Sequence, residues 1–119
     1  MGAPSAGSIV LIRFPFSDLS GAKVRPAIAL ADVGRGDVVL CQVTSQSYGD
    51  DNAVTIAATD LASGSLRLAS FARPGKIFTA NEAIVTTTIA SLKPEALARV
   101  IDAVITLLRS AVRSPPNGQ

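Results

Sequence analysis

Hydrophobic positions along the chain fall first into short runs of β character. Ile9-Val10-Leu11-Ile12-Arg13-Phe14 is β-branched, ends on an aromatic residue and closes at Pro15, which predicts a first strand buried over most of its length. Pro15 to Lys23 reads as a loop, because Ser17-Asp18-Leu19-Ser20-Gly21 supplies turn formers. Arg25-Pro26-Ala27-Ile28-Ala29-Leu30 resumes as a second strand. Pro26 donates no ladder hydrogen bond and is expected at the strand's start or on a sheet edge. Gly34-Arg35-Gly36-Asp37 is a tight connection into Val38 to Val43, an almost continuous apolar run and the clearest strand, which the polar Thr44-Ser45-Gln46-Ser47 closes. A short strand at 52–57 follows the Gly49-Asp50-Asp51-Asn52 turn, and 66–71 alternates with period two. Lys76 to Thr79 is a further strand. Val85-Thr86-Thr87-Thr88-Ile89 is a strand by propensity, since consecutive β-branched residues weaken a helix.

Only the C-terminal segment has helical spacing. Leu97, Val100, Ile101, Val104 and Leu108 share one face, Pro94 suits the first helical position, and Glu95 sits near the positive end of the helix. Lys93 before it is a poor cap, costing up to about 1 kcal/mol relative to Ser or Asp. Many short strands followed by one helix predict an α+β fold, mainly β: a small barrel or strongly bent sheet closed by the helix.

With 119 residues the chain has room for one domain, expected over 8–110, with tails at 1–7 and 111–119. Hydrophobic residues at 48% and charged residues at 17% exclude a disordered chain, yet Arg, Asp or Lys interrupts every apolar run before it could span a bilayer. The first seven residues have neither a basic nor an apolar targeting segment, and the single Cys41 cannot form an intrachain disulfide, so a cytoplasmic location is expected.

Composition constrains the chemistry further. The chain has no histidine, so no Ser-His-Asp or Cys-His relay is available, and one cysteine cannot build a zinc site. No metal and no cofactor is expected. Lys+Arg 11 against Asp+Glu 9 leaves a net charge of only +2, so binding to a polyanion must come from local clustering. Gly34-Arg35-Gly36 lacks the third glycine and the following helix of a dinucleotide fingerprint. Asp50-Asp51 in a Gly-containing turn lacks the ligand count of a calcium loop and reads as solvated, and Cys41 in the most apolar strand reads as a buried structural thiol.

Three polar groups stand at strand boundaries. Arg25 precedes Pro26, which restricts its backbone, and a guanidinium offers a planar fork matched to phosphate oxygens; the alternative is a solvated arginine at a strand edge. Thr44-Ser45-Gln46-Ser47 could hold a phosphate or base edge, or simply form a polar turn. Arg67, Arg73 and Lys76 concentrate positive charge around Phe71, which could stack on a base but reads better as core. Arg67, Phe71 and Arg73 share pleat parity on a regular strand, and Lys23 with Arg25 would enlarge the basic inventory if the two segments adjoin.

In their order and spacing, four blocks resemble the MazF/PemK/Kid family of toxin endoribonucleases from type II toxin–antitoxin systems. They are Gly7 to Pro15, Arg25 to Leu30, Val43-Thr44-Ser45-Gln46 and Lys76-Ile77-Phe78-Thr79, and the likeness runs from about Gly7 to Leu108. The resemblance implies a small SH3-like barrel, a homodimer and single-stranded RNA held in a groove at the dimer interface. A cognate antitoxin protein is also implied, with operator DNA reached only through it. The implied activity is metal-independent cleavage that leaves a 2′,3′-cyclic phosphate and a 5′-hydroxyl.

On the family pattern Arg25 and Thr44 would contact the scissile phosphate. Arg73 lines up with an arginine proposed as general acid in the Kid branch, although phosphate binding suits a guanidinium better. Ser20, Lys23, Ser45, Gln46 and Lys76 complete the expected substrate contacts. Two departures stand out. Leu19-Ser20-Gly21 replaces the Glu-Gln pair that many members carry in the first loop, and Gly75 stands at the Kid-type aspartate, so no general base carries over. Asp18 is a conceivable substitute. The alternatives are a catalytically degenerate member that binds antitoxin and, through it, DNA, or a toxin directed at a protein.

Overall fold

A computed structural model of the chain describes residues 3–18, 21–47 and 49–113. Seven strands precede one helix: β1 (Ser8–Asp18), β2 (Gly21–Gly34), β3 (Asp37–Thr44), β4 (Val54–Ile56), β5 (Leu61–Gly64), β6 (Ser70–Asn81), β7 (Val85–Leu92) and α1 (Pro94–Arg113). Short 3-10 turns at Ala58–Asp60 and Glu82–Ile84 lead into β5 and β7. The strands form one antiparallel sheet in the order β4-β6-β3-β2-β1-β7-β5. This curled half-barrel with a single C-terminal helix is the mainly β, SH3-like α+β fold that the sequence predicts. Among the described residues no helix is long and apolar enough to cross a membrane.

Alternation along the central strands divides the apolar residues between two clusters. Ile9, Ile28, Leu30, Cys41, Val43, Ile56, Ala72, Ala90 and Leu92 pack with Ala96, Val100 and Val104 of α1. The intervening Val10, Ile12, Ala27, Ala29, Val38 and Leu40 form a second cluster, covered by Phe78, Ala80, Ile84 and Val85. The predicted helical face holds through Val104, but Leu108 is 58% exposed, so the last turns of α1 extend past the sheet.

Some local expectations change, while the edge position expected of Pro26 holds. Of the loop expected from Pro15 to Lys23, residues 15–18 and 21–23 are instead strand, ends of a long β1–β2 pair matched at Phe14 with Lys23 and at Asp18 with Gly21. Pro26 lies inside β2, opposite Leu11 of β1. Pairing with β3 starts only at Ala27, so β2 is locally an edge at the proline and no ladder donor is lost there. The strand expected at 66–71 begins only at Ser70 and runs without interruption to Asn81. It survives Pro74-Gly75 because the register jumps from Cys41–Ile77 to Val43–Ala72, leaving residues 73–76 as a bulge where proline and glycine do no harm. Arg67 precedes β6 and so falls outside any common pleat with Phe71 and Arg73. Finally, β5 has no apolar alternation to announce it; it is held at the edge by pairing with β7 and by the Ser63–Ser91 hydroxyl contact of 2.8 Å.

Two tight connections show how local chemistry fixes the frame. Arg35 and Gly36 form the two-residue link between β2 and β3 with φ of 59° and 80°, the left-handed pair that matches strand twist. Arginine in that conformation is strained, and Arg35→Asn is expected to raise stability by about 0.5–1 kcal/mol, read as a higher urea midpoint. At the helix start the Lys93 carbonyl accepts from the Ala96 and Leu97 amides, and the Lys93 amide donates to the Asp60 carbonyl. The Asp60 carboxylate accepts from the Ala57 amide at 2.8 Å and meets Arg99 at 3.0 Å, so the turn before β5 ties down the helix that Lys93 caps poorly.

Candidate functional site

The hydroxyl segment closing β3 opens into a cavity of about 340 Å³ that Arg25 and Pro26 of β2 also line. Val24, Val43, Thr44, Ser45, Gln46, Leu66, Arg67, Leu68, Ser70 and Ile89 complete its wall. Four separate stretches therefore meet in one cleft: the part of β2 not paired with β3, the end of β3, the irregular chain before β6 and Ile89 of β7. Arg25 is exposed and sits opposite Ile12 of β1, where the following proline frees β2 from β3. Its side chain makes no hydrogen bond or ion pair among the described residues.

Thr44 pairs with Phe71 of β6 and accepts a hydrogen bond from the Gln46 amide at 3.2 Å. With that oxygen engaged as acceptor, its hydroxyl proton remains to be donated elsewhere. Ser70, 6% exposed, donates to the Leu68 carbonyl at 2.9 Å and holds the wall segment against the start of β6. The described lining has two guanidiniums, three hydroxyls and one amide, and no carboxylate. Such an arrangement can bind a phosphate and neutralise added negative charge, while contributing no carboxylate to take a proton.

The structure brings together only part of the expected site. Arg25, Thr44, Ser45 and Gln46 share the cleft. Arg73 and Lys76 lie on the β6 bulge and are not part of its lining. Arg73 Nε instead donates to Asp50 Oδ2 at 3.0 Å, in a pair only 22% and 12% exposed at its two side chains. Ser20 lies outside the described residues, as does the side chain of Lys23. Phe71 is half-buried between Thr44 and Thr55 of the neighbouring strands rather than in the core expected for it. A side chain at Gly75 would meet Leu107 Cδ2 of α1 at 3.7 Å, so that position looks towards the helix. Of the three cations that the sequence groups around Phe71, Arg67 is the one that lines the cleft with Thr44, and only the fold shows which of them does so.

Asp50 is not the solvated loop acid its sequence context implies. Its second oxygen accepts from the Asn52 amide at 2.9 Å, and that bond, then the Arg73 donor, holds its carboxyl below the usual carboxylate range. This contribution to stability is fully present above the unfolded-state pKa of about 4 and is lost as pH falls through the lower folded value. Urea midpoints of wild type and Asp50→Asn are therefore expected to converge on acidification below about pH 4. Among the described residues no three His, Cys, Asp or Glu side chains cluster as metal ligands. Cys41, fully buried, donates its thiol to the Arg73 carbonyl at 3.3 Å. Burial raises its pKa to about 11, which keeps it a neutral structural group as its apolar strand suggests.

A curled half-barrel with an arginine and hydroxyl cleft at its mouth is the class of molecule in hand, and family comparison narrows it. The model of the PemK-like, MazF-like toxins of type II toxin–antitoxin systems matches residues 5–108, and the chain belongs to this family. No curated protein matches it. Among solved structures, a chain of the MazE–MazF crystal structure (Form-III) from Deinococcus radiodurans superposes with a TM-score of 0.71 at 23% identity, covering 90% of this chain and 97% of that one. An endoribonuclease in complex with its cognate antitoxin from a mycobacterial species gives a TM-score of 0.65 at 19% identity, covering 92% and 96%. The Mycobacterium tuberculosis toxin MazF-mt6 gives 0.64 at 15%, covering 86% and 96%. At such identities the likeness shows a shared fold.

Proposed function

We propose that the chain is a toxin endoribonuclease that cleaves single-stranded RNA without a metal ion. The observation that carries this reading is the meeting of Arg25 with Thr44, Ser45 and Gln46 in one cleft of a chain from this family. In the reaction the RNA's own 2′-oxygen attacks the adjacent phosphorus. The O2′–P bond forms, the P–O5′ bond breaks, the 2′ proton passes to water and the departing 5′-oxygen gains a proton. The products are a 2′,3′-cyclic phosphate and a 5′-hydroxyl. Arg25 and the Thr44 hydroxyl act by stabilising charge on the pentavalent phosphorus and by aligning the ribose. Arg73, committed to Asp50, serves best by keeping the β6 bulge and the loop after β3 in place.

The same reading makes the chain a homodimer whose antitoxin occupies this cleft; family membership and the antitoxin complexes among the structural neighbours support an antitoxin partner. Operator DNA would be reached through the antitoxin. A second reading, a member that binds antitoxin and cuts slowly or not at all, gains from the absence of a carboxylate in the described lining, since lack of a positioned base costs about 10²-fold or more. One assay separates them: long single-stranded RNA incubated with the protein in EDTA, with both ends of every cut mapped. Discrete cuts with cyclic-phosphate ends support the nuclease. Intact RNA with folded protein supports the binding module.

A further inference from the structure

A second cavity, about 380 Å³, lies beside the cleft and is lined by Ile56, Ala57 and Ala58 from the β4 side and by Leu61 and Gly64 of β5. The curl of the sheet thus brings its two edge strands to the same slot. Leu66, Arg67 and Leu68 line both this slot and the cleft of Arg25 and Thr44, so they form the wall between them. Arg67 is exposed, stands outside the strands and makes no side-chain hydrogen bond or ion pair among the described residues. The slot's remaining lining is almost wholly apolar, and its single described charge is Arg67.

Resting on the ribonuclease reading, we infer that Arg67 is a substrate-binding residue. It holds the phosphate next to the scissile one and directs the base of that nucleotide into the slot behind it. Two cations in the cleft divide the work by position. Of these two cavities Arg25 borders only the Thr44 cleft, whereas Arg67 lines both and sits where a strand leaving the cleft enters the slot. The guanidinium fork suits a phosphate diester, and single-stranded RNA is read through bases turned out of their stack onto apolar or planar surfaces. Leu66 and Leu68 supply that surface here. Arg67, rather than Arg73, then gives the cleft its second positive charge, and the slot becomes the place where cut-site preference arises.

The test uses the whole 119-residue chain and a fluorescein-labelled, 2′-O-methylated single-stranded RNA of mixed sequence, which binds but cannot be cut. Arg67→Ala is expected to fold like wild type, weaken binding about tenfold and reduce the slope of log affinity against log salt by about 0.7, the share of one phosphate contact on a single strand. With cleavable RNA it raises KM and leaves kcat nearly unchanged, while Leu68→Ser alters which sites are cut. Arg67→Lys recovers the salt slope. Binding by Arg67→Ala within about twofold of wild type, with an unchanged slope, overturns the assignment. A wild type that binds the RNA but cuts none removes the ribonuclease reading and leaves Arg67 judged by binding alone. A wild type that neither binds nor cuts RNA overturns both.

Discussion

Gly64→Ala is expected to remove about 3 kcal/mol or more of stability, with melting lowered by roughly 10 °C or more. Gly64 ends β5 with φ of +76°, and a Cβ there would sit 2.5 Å from the Ala90 Cα and closer still to the Ile89 carbonyl oxygen. Both obstacles are in β7, in the middle of an eight-residue strand whose Ala90 is 3% exposed in the main core, so neither can yield without opening that core. Gly34→Ala provides the control. Gly34 also has positive φ, at +92°, but nothing lies within 4 Å of its would-be Cβ, so only backbone strain of about 1–2 kcal/mol applies. Thermal melts of the two variants separate steric exclusion from strain. Equal losses in both would mean that β5 is not pressed against β7 as described. Because Gly64 leads directly into the Leu66–Leu68 wall, its variant is also expected to lose RNA binding at temperatures where the remaining fold survives.

What could be read in the sequence follows the range of the interactions involved. The central strands and α1 announce themselves because each carries its own periodicity: Val38 to Val43 as an almost continuous apolar run and Leu97, Val100, Ile101 and Val104 as a helical face. The distal β1–β2 hairpin did not, since its residues read locally as turn formers and only their pairing makes them strands. The β6 bulge is a related case. Pro74-Gly75 ends a strand by local rules, yet bulging tolerates both residues, and one long strand replaces two short ones. Within the site, Arg25 and Thr44 were legible as strand-boundary groups and from the family blocks. The Asp50–Arg73 pair, 23 residues apart, had no local signal, and it takes Arg73 out of the group that the blocks alone would assemble. Arg67 gains its place only once the sheet curls and its edges approach.

Arg25→Ala is expected to lower the cleavage rate about 10²- to 10³-fold with little change in KM, the cost of removing one donor aimed at developing charge. The physical basis is a change in charge during the reaction. A phosphate diester carries one negative charge before attack and two as the pentavalent species forms, so a guanidinium beside the phosphorus gains most at the transition state. Thr44→Val should cost less, because it removes a neutral donor and leaves the Gln46 amide without its acceptor. Arg25→Lys restores a charge without the planar fork and is expected to fall between alanine and wild type. Folding should hardly change in Arg25→Ala, since the residue is exposed and without a described side-chain partner, and a urea-unfolding free energy within about 0.5 kcal/mol of wild type would confirm that the rate reports chemistry. The contrast with Arg73→Ala is the decisive part. That substitution leaves Asp50 without its cation, so its effect should appear first in stability and only through stability in rate. A folded Arg73→Ala protein with the larger loss of cleavage would move the reacting phosphate away from Thr44 and onto the β6 bulge.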